Sequence, residues 1–130
     1  ADNVCPSGWR LPSDKDWKDL EKSLGMSDFE ADAFHRNRGT DQGTRLMVDG
    51  NSGFNAKLAG HRNPYTGYFV SRGDDTNLWS SSVSDVVSDA ESDAESDGKA
   101  YRRYMHRVYT KVYRGVIDKA FGFSVRCLKD

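Results

Sequence analysis

The sequence predicts an α+β fold, and three observations carry that prediction. Two helix starts marked by capping residues lie near the beginning of the chain. Glycines then recur too closely through the middle for any long helix. Towards the end, short runs alternate apolar and polar side chains. A chain of 130 residues has room for one domain and one modest core, so residues 1–130 are read as a single domain.

The first helix begins at Ser13, with Asp16 at the third helical position as in a capping box. Trp17, Leu20 and Leu24 recur at helical spacing, and Gly25 supplies the stop. A second short helix begins at Ser27, where Glu30 repeats the capping spacing, and is expected to bury Phe29, Ala33 and Phe34. From Gly39 to Asn77 loops and short strands follow. Phe54–Leu58 alternates as a half-buried strand. Asn63-Pro64-Tyr65-Thr66-Gly67 is a turn by composition, and Tyr68-Phe69-Val70 is the returning strand of a hairpin. Three further strands are expected over Ala100–His106, Val108–Arg114 and Gly122–Leu128.

Composition excludes several function classes. A formal net charge of -1 gives no general attraction to nucleic acid or anionic membranes, and no apolar run is long enough to span a bilayer. Ala1–Val4 contain no signal pattern. Cys5 and Cys127 stand almost at the two ends, so a bond between them would enclose nearly the whole chain, worth about 4–5 kcal/mol in the chain-entropy model. The alternative is two buried free thiols; a zinc site is disfavoured because no Cys or His pair has ligand spacing.

Ser88-Asp89-Ala90-Glu91 is repeated as Ser92-Asp93-Ala94-Glu95, and Ser96-Asp97 begins a third copy. This acidic stretch, about residues 83–98, is read as a mobile loop insertion between strands. Its carboxylates could suit calcium, but the glycine turn of an EF-hand is missing. No metal and no cofactor is expected.

Cys5-Pro6-Ser7-Gly8-Trp9-Arg10-Leu11-Pro12-Ser13, followed by Asp16-Trp17 and Leu20, resembles the opening of the Fibrobacter succinogenes major paralogous domain family. Gly122-Phe123-Ser124-Val125-Arg126-Cys127 resembles that family's end. Ser52–Ala56, Leu58–Arg62 and Leu78–Ser82 fit its middle, whereas the acidic repeat departs from it. The resemblance implies a C-type-lectin-like fold with adjacent chain ends, which agrees with a Cys5–Cys127 bond. It also implies an exported module of a bacterial cell surface. It carries over no enzyme site, since both cysteines occupy structural positions. The Glu-Pro-Asn and Gln-Pro-Asp triplets of calcium-dependent lectins are absent; Asn63-Pro64-Tyr65 is the nearest stretch.

No catalytic constellation is visible: His35, His61 and His106 are scattered, and the acids concentrate in the repeat. His61 is read as a structural hydrogen-bonder. The candidate binding segment is Tyr101–Phe121, where four of the six tyrosines are interleaved with Arg102, Arg103, Arg107, Lys111, Arg114 and Lys119. Tyr101, Arg103 and Met105 share one strand face and are assigned to the interior. Tyr104, His106, Tyr109, Tyr113 and Phe121 are assigned to a ligand-binding face. The spacing of Arg114, Lys119 and Gly122–Arg126 is also similar to that of lectin-fold variable proteins diversified by retroelements. That similarity adds Gly115, Val116, Ile117, Asp118 and Ala120 to Tyr113 and Phe121 as variable positions, with Val116 and Ile117 read as exposed in a loop. The expected partner is a protein or glycan, bound by a monomer, with no nucleic acid. The competing readings are a structural domain of a surface assembly without its own ligand and a calcium-dependent lectin.

Overall fold

The computed structural model describes residues 4–84 and 98–130. The acidic repeat therefore lies outside the described residues. The fold is α+β: three short helices and mostly antiparallel strands.

Strand β1 (Trp9–Arg10) leads into helix α1 (Asp14–Ser23), then α2 (Asp28–Asp32). Both helix starts close as full capping boxes. Asp16 N donates to Ser13 Oγ at 3.0 Å and Ser13 N to Asp16 Oδ2 at 3.0 Å, and Ser27 and Glu30 repeat the pattern. After α1, Gly25 takes φ +105, a left-handed stop that side chains resist. Strand β2 (Arg36–Arg38) and helix α3 (Gln42–Leu46) follow, neither of them expected from the sequence. Then come β3 (His61–Arg62), β4 (Phe69–Val70), β5 (Asp75–Val83), β6 (Lys99–His106), β7 (Val112–Asp118) and β8 (Leu128–Lys129).

The main sheet has four strands in the order β2-β7-β6-β5, all antiparallel. Alternation along β6 sorts its residues onto two faces. Arg103 and Met105, with Leu78 and Val112 from the neighbouring strands, turn towards α1. Leu78, Met105 and Val112 pack there with Trp17, Leu46, Met47 and Ala56 as the core. The same side holds a buried ionic network. Glu21 accepts from Arg38 Nη2 at 2.7 Å and Arg103 Nε at 2.9 Å; Asp14 accepts from Arg103 Nη1 at 2.7 Å and Arg114 Nη2 at 2.8 Å. Three guanidiniums thus share two carboxylates in the interior.

The two chain ends meet as expected from the resemblance. β1 pairs antiparallel with β8, and Cys5 and Cys127, 122 residues apart in sequence, form a disulfide.

Several local expectations change. Phe29 is 87% exposed, and α2 instead buries Ala31. Two residues apart on a helix are on opposite sides, so only one of the pair can face inward. Phe54, Ala56 and Leu58 do turn inward, but the segment is not a ladder strand. Asn55 takes φ +55, and among the described residues the segment's one bridge is the parallel one between Met47 and Ala56. The returning strand Phe69–Val70 pairs with His61–Arg62 rather than with Phe54–Leu58. The second expected run, Val108–Arg114, forms a strand four residues later, at Val112–Asp118, because Tyr109 N bonds back to His106 O in a turn. Val116 and Ile117 therefore lie on a half-buried strand, not in an exposed loop. Gly122–Leu128 becomes a strand only at its last residue. Upstream it is stitched to two neighbours in turn, by bridges Arg62↔Gly122 and Leu78↔Ser124.

Candidate functional site

Among the described residues the sheet face opposite α1 is covered by no helix. Its middle is lined by Asp75 and Asn77 from β5, Arg102 and Tyr104 from β6, and Tyr113 and Ile117 from β7. The C-terminal segment crosses beside this face and adds Phe121 and Phe123, while His61 comes from β3. These residues enclose a cleft of about 400 Å³. The crossing segment is held by reciprocal backbone bonds of Gly122 with Arg62, at 2.9 and 3.0 Å, and by Ser124 N to Asn77 O at 3.0 Å. Gly122 is required there: a Cβ would stand 2.9 Å from the Cβ of Arg62.

Arg102 is the centre of the cleft. Its guanidinium carbon lies 5.8 Å from the Tyr104 ring, 5.2 Å from Tyr113 and 5.7 Å from Phe123. Nη1 donates to Asn77 Oδ1 at 2.6 Å, while the shielded Nε has no partner. Burial pulls its pKa down, opposed by Tyr113, Tyr104 and Asp75. The position opposite Arg102 is Gly115, which is buried; a Cβ there would come within 2.7 Å of the Tyr113 ring. Glycine thus lets that ring lie over the sheet beside Arg102.

At the other side of the cleft Asp75 is 5% exposed, and its Oδ1 has no hydrogen-bond partner. The nearest basic side-chain nitrogen among the described residues, His61 Nδ1, is 3.9 Å away and has no hydrogen-bond partner of its own. Burial raises the Asp75 carboxyl above its ordinary range, more than His61 and His106 lower it. The Tyr104 hydroxyl is also raised, first by burial and then by Asp75.

The expected site residues divide into five groups. Tyr104, Tyr113, Ile117 and Phe121 line the cleft together. His106 and Tyr109 continue its aromatic row, with ring centroids 6.5 Å from Tyr104 to His106 and 5.0 Å from His106 to Tyr109. Asp118 and Ala120 form the rim turn, where Asp118 Oδ1 accepts from Ala120 N at 3.0 Å and Tyr65 packs on Phe121 at 5.9 Å. Gly115 is the floor. Val116 pairs with Tyr101 on the helix-side face and does not belong to the cleft. The sequence reading missed Asp75, Asn77 and Phe123 as site residues, named Arg102 in the binding segment without assigning it to the ligand-binding face, and took His61 as structural. A period of two shared by Asp75, Asn77 and Trp79, and by Arg102, Tyr104 and His106, is the signal that could have found most of them.

A second cleft of about 400 Å³ lies by the chain ends, between Trp9, Trp17, Leu20, Phe54 and Leu128. Two of its three charged lining residues are already engaged, Asp16 by Arg10 and Arg126 by the carbonyl of Phe54 at 2.7 Å. Among the described residues no group of three or more His, Cys, Asp or Glu could hold a metal ion, and no helix is long and apolar enough to cross a membrane.

The sequence profile of the Fibrobacter succinogenes major domain family matches residues 1–129. The chain belongs to this family. In this Fibrobacter succinogenes major domain the segments that carry the resemblance have structural work to do. The opening segment supplies β1 and the cap of α1, and the closing one supplies the disulfide and one wall of the cleft. No curated protein and no solved structure matches the chain.

Proposed function

We propose that this domain is a non-catalytic recognition module with a C-type-lectin-like fold, displayed outside the cell, that binds its ligand in the cleft on the open sheet face. The observation that carries this reading is the cleft itself. One sheet face is closed by helices and core, while the other leaves Tyr104, Tyr113, Phe121 and Phe123 around a concave space with polar groups at its walls. Aromatic walls with a few fixed polar groups are the usual make-up of a small-ligand site. The joined chain ends support the lectin-like assignment, and the disulfide supports an oxidising compartment. Diversification by a retroelement would act through Tyr113, Ile117, Asp118 and Phe121, because Val116 faces the other side and Gly115 has no room for a side chain.

Screening the domain on arrays of proteins and glycans, with a Tyr113→Ser variant alongside, tests the reading. Retained ligands should be lost by the variant while its circular dichroism stays unchanged. Ligands retained equally by both would overturn the assignment of this cleft. Comparison of sibling gene copies tests diversification: positions 113, 117, 118 and 121 should vary more than Trp17, Leu46 and Met105, and equal variation would refute it.

A further inference from the structure

The two charges at the cleft walls have neutral hydrogen-bond partners, Asn77 for Arg102 and the Ser71 and Tyr104 hydroxyls for Asp75, but no lysine or arginine is paired with Asp75 and no carboxylate with Arg102 among the described residues. Every buried arginine, namely Arg38, Arg103 and Arg114, is matched to a carboxylate. The exposed Arg10 and Arg107 are matched as well. Arg102, wrapped in three rings, makes no ion pair among the described residues; its neutral partner is Asn77. Desolvating a guanidinium without a counter-ion is costly, so its surroundings favour an anion arriving from outside. Asp75 is the mirror case: a carboxylate more than nine-tenths buried, lining the same cleft, with Oδ1 unpartnered and no basic side-chain nitrogen among the described residues closer than His61 Nδ1, 3.9 Å away. In β5, Asp75 and Asn77 are two residues apart and so point to the same face, which sets Asp75 next along the wall from the Arg102–Asn77 contact. The space between the two charges is bounded by aromatic rings.

Resting on the reading of this cleft as a ligand site, we propose that it binds a free α-amino acid, its carboxylate on Arg102, its ammonium on Asp75 and an apolar side chain among Tyr104, Tyr113 and Phe121. A zwitterion is the one small polar group that supplies both missing counter-charges at once. A neutral sugar would leave each wall charge with only a neutral hydrogen bond. A simple anion would satisfy Arg102 and be repelled by Asp75.

Three probes that share one side chain but keep both charges, only the carboxylate or only the ammonium separate these cases: L-phenylalanine, N-acetyl-L-phenylalanine without the ammonium, and L-phenylalaninamide without the carboxylate. Each is titrated into the disulfide-bonded domain at millimolar concentration, following backbone amides of β5–β7 and the Arg102 Nε–Hε signal by NMR. L-Phenylalanine should bind at least about tenfold more tightly than either analogue, since each lacks one desolvated charge contact. Arg102→Met should abolish the preference over the amide, and Asp75→Asn the preference over the N-acetyl compound. Arg102→Lys, which keeps the charge, should retain part of the former preference. Equal binding of all three probes would overturn the zwitterion assignment and leave the cleft as a ligand site. No response to L-phenylalanine would overturn the assignment too, and the array screen with Tyr113→Ser then decides the broader reading independently.

Discussion

Arg102 and Arg103 are neighbours on β6, and they show how differently the two faces of the sheet are built. Arg103 is fully buried, bonded to both Asp14 and Glu21, and packed 5.9 Å from the Trp17 ring. Arg102 points the other way, has rings around it, and is without a carboxylate among the described residues. On the helix-side face charge is neutralised inside the fold and serves to lock α1 onto the sheet. On the open face charge is left for something else to neutralise. The comparison shows that an arginine's role here depends on which face its strand position selects, not on its being buried.

Removal of Arg103 gives the largest expected effect. Arg103→Met leaves Asp14 and Glu21 short of a partner in the interior and should cost about 3–5 kcal/mol in urea unfolding. A cost near that of an exposed substitution would break the contrast between the faces. Next comes acid sensitivity of the same network. Burial alone would raise Asp14, but the hydrogen bonds from Arg114 and Arg103 outweigh it and hold the carboxyl below its ordinary range. Its contribution is therefore complete above the unfolded-state value of about 3.9 and lost as pH falls from there through the folded value. The urea midpoint should drop in that range, and Asp14→Asn should flatten the drop.

Smaller effects are expected on the open face. Arg102→Met should cost only about 1–2 kcal/mol, chiefly through the unsatisfied Asn77 acceptor, while removing the preference for L-phenylalanine over its amide. The smallest effect belongs to Asp75. Its folded-state pKa is raised by burial, so stability is greatest below the unfolded value and declines as pH rises through the folded one. Asp75→Asn should raise the melting temperature slightly at neutral pH, a gain that disappears in acid. A fall at neutral pH would show that Asp75 is paired after all and would sharpen the comparison against us.

Part of this was legible in the residues. Ser13 and Ser27 announce their helices because a cap is a local contact, made within three residues. The interior assignment of Tyr101, Arg103 and Met105 against Tyr104 and His106 followed from a period of two, and the observed register keeps them on those two faces. Phe29 and the Gly122–Leu128 run misled for the opposite reason. Apolarity and alternation say that a side chain could be buried, but not whether a neighbour arrives to bury it or to complete a ladder. Asp75 and Asn77 escaped notice because their importance comes from Arg102, which is 27 and 25 residues away along the chain.

The sequence alone thus determined the fold class, the two capped helices and the family, since these rest on local contacts and on motifs at both ends of the chain. Tertiary structure alone decided which arginines are neutralised. Charge pairing depends on long-range register, with Arg103 meeting Asp14 across 89 residues and Arg114 across 100. No local pattern encodes that meeting, nor the gap it leaves at Arg102.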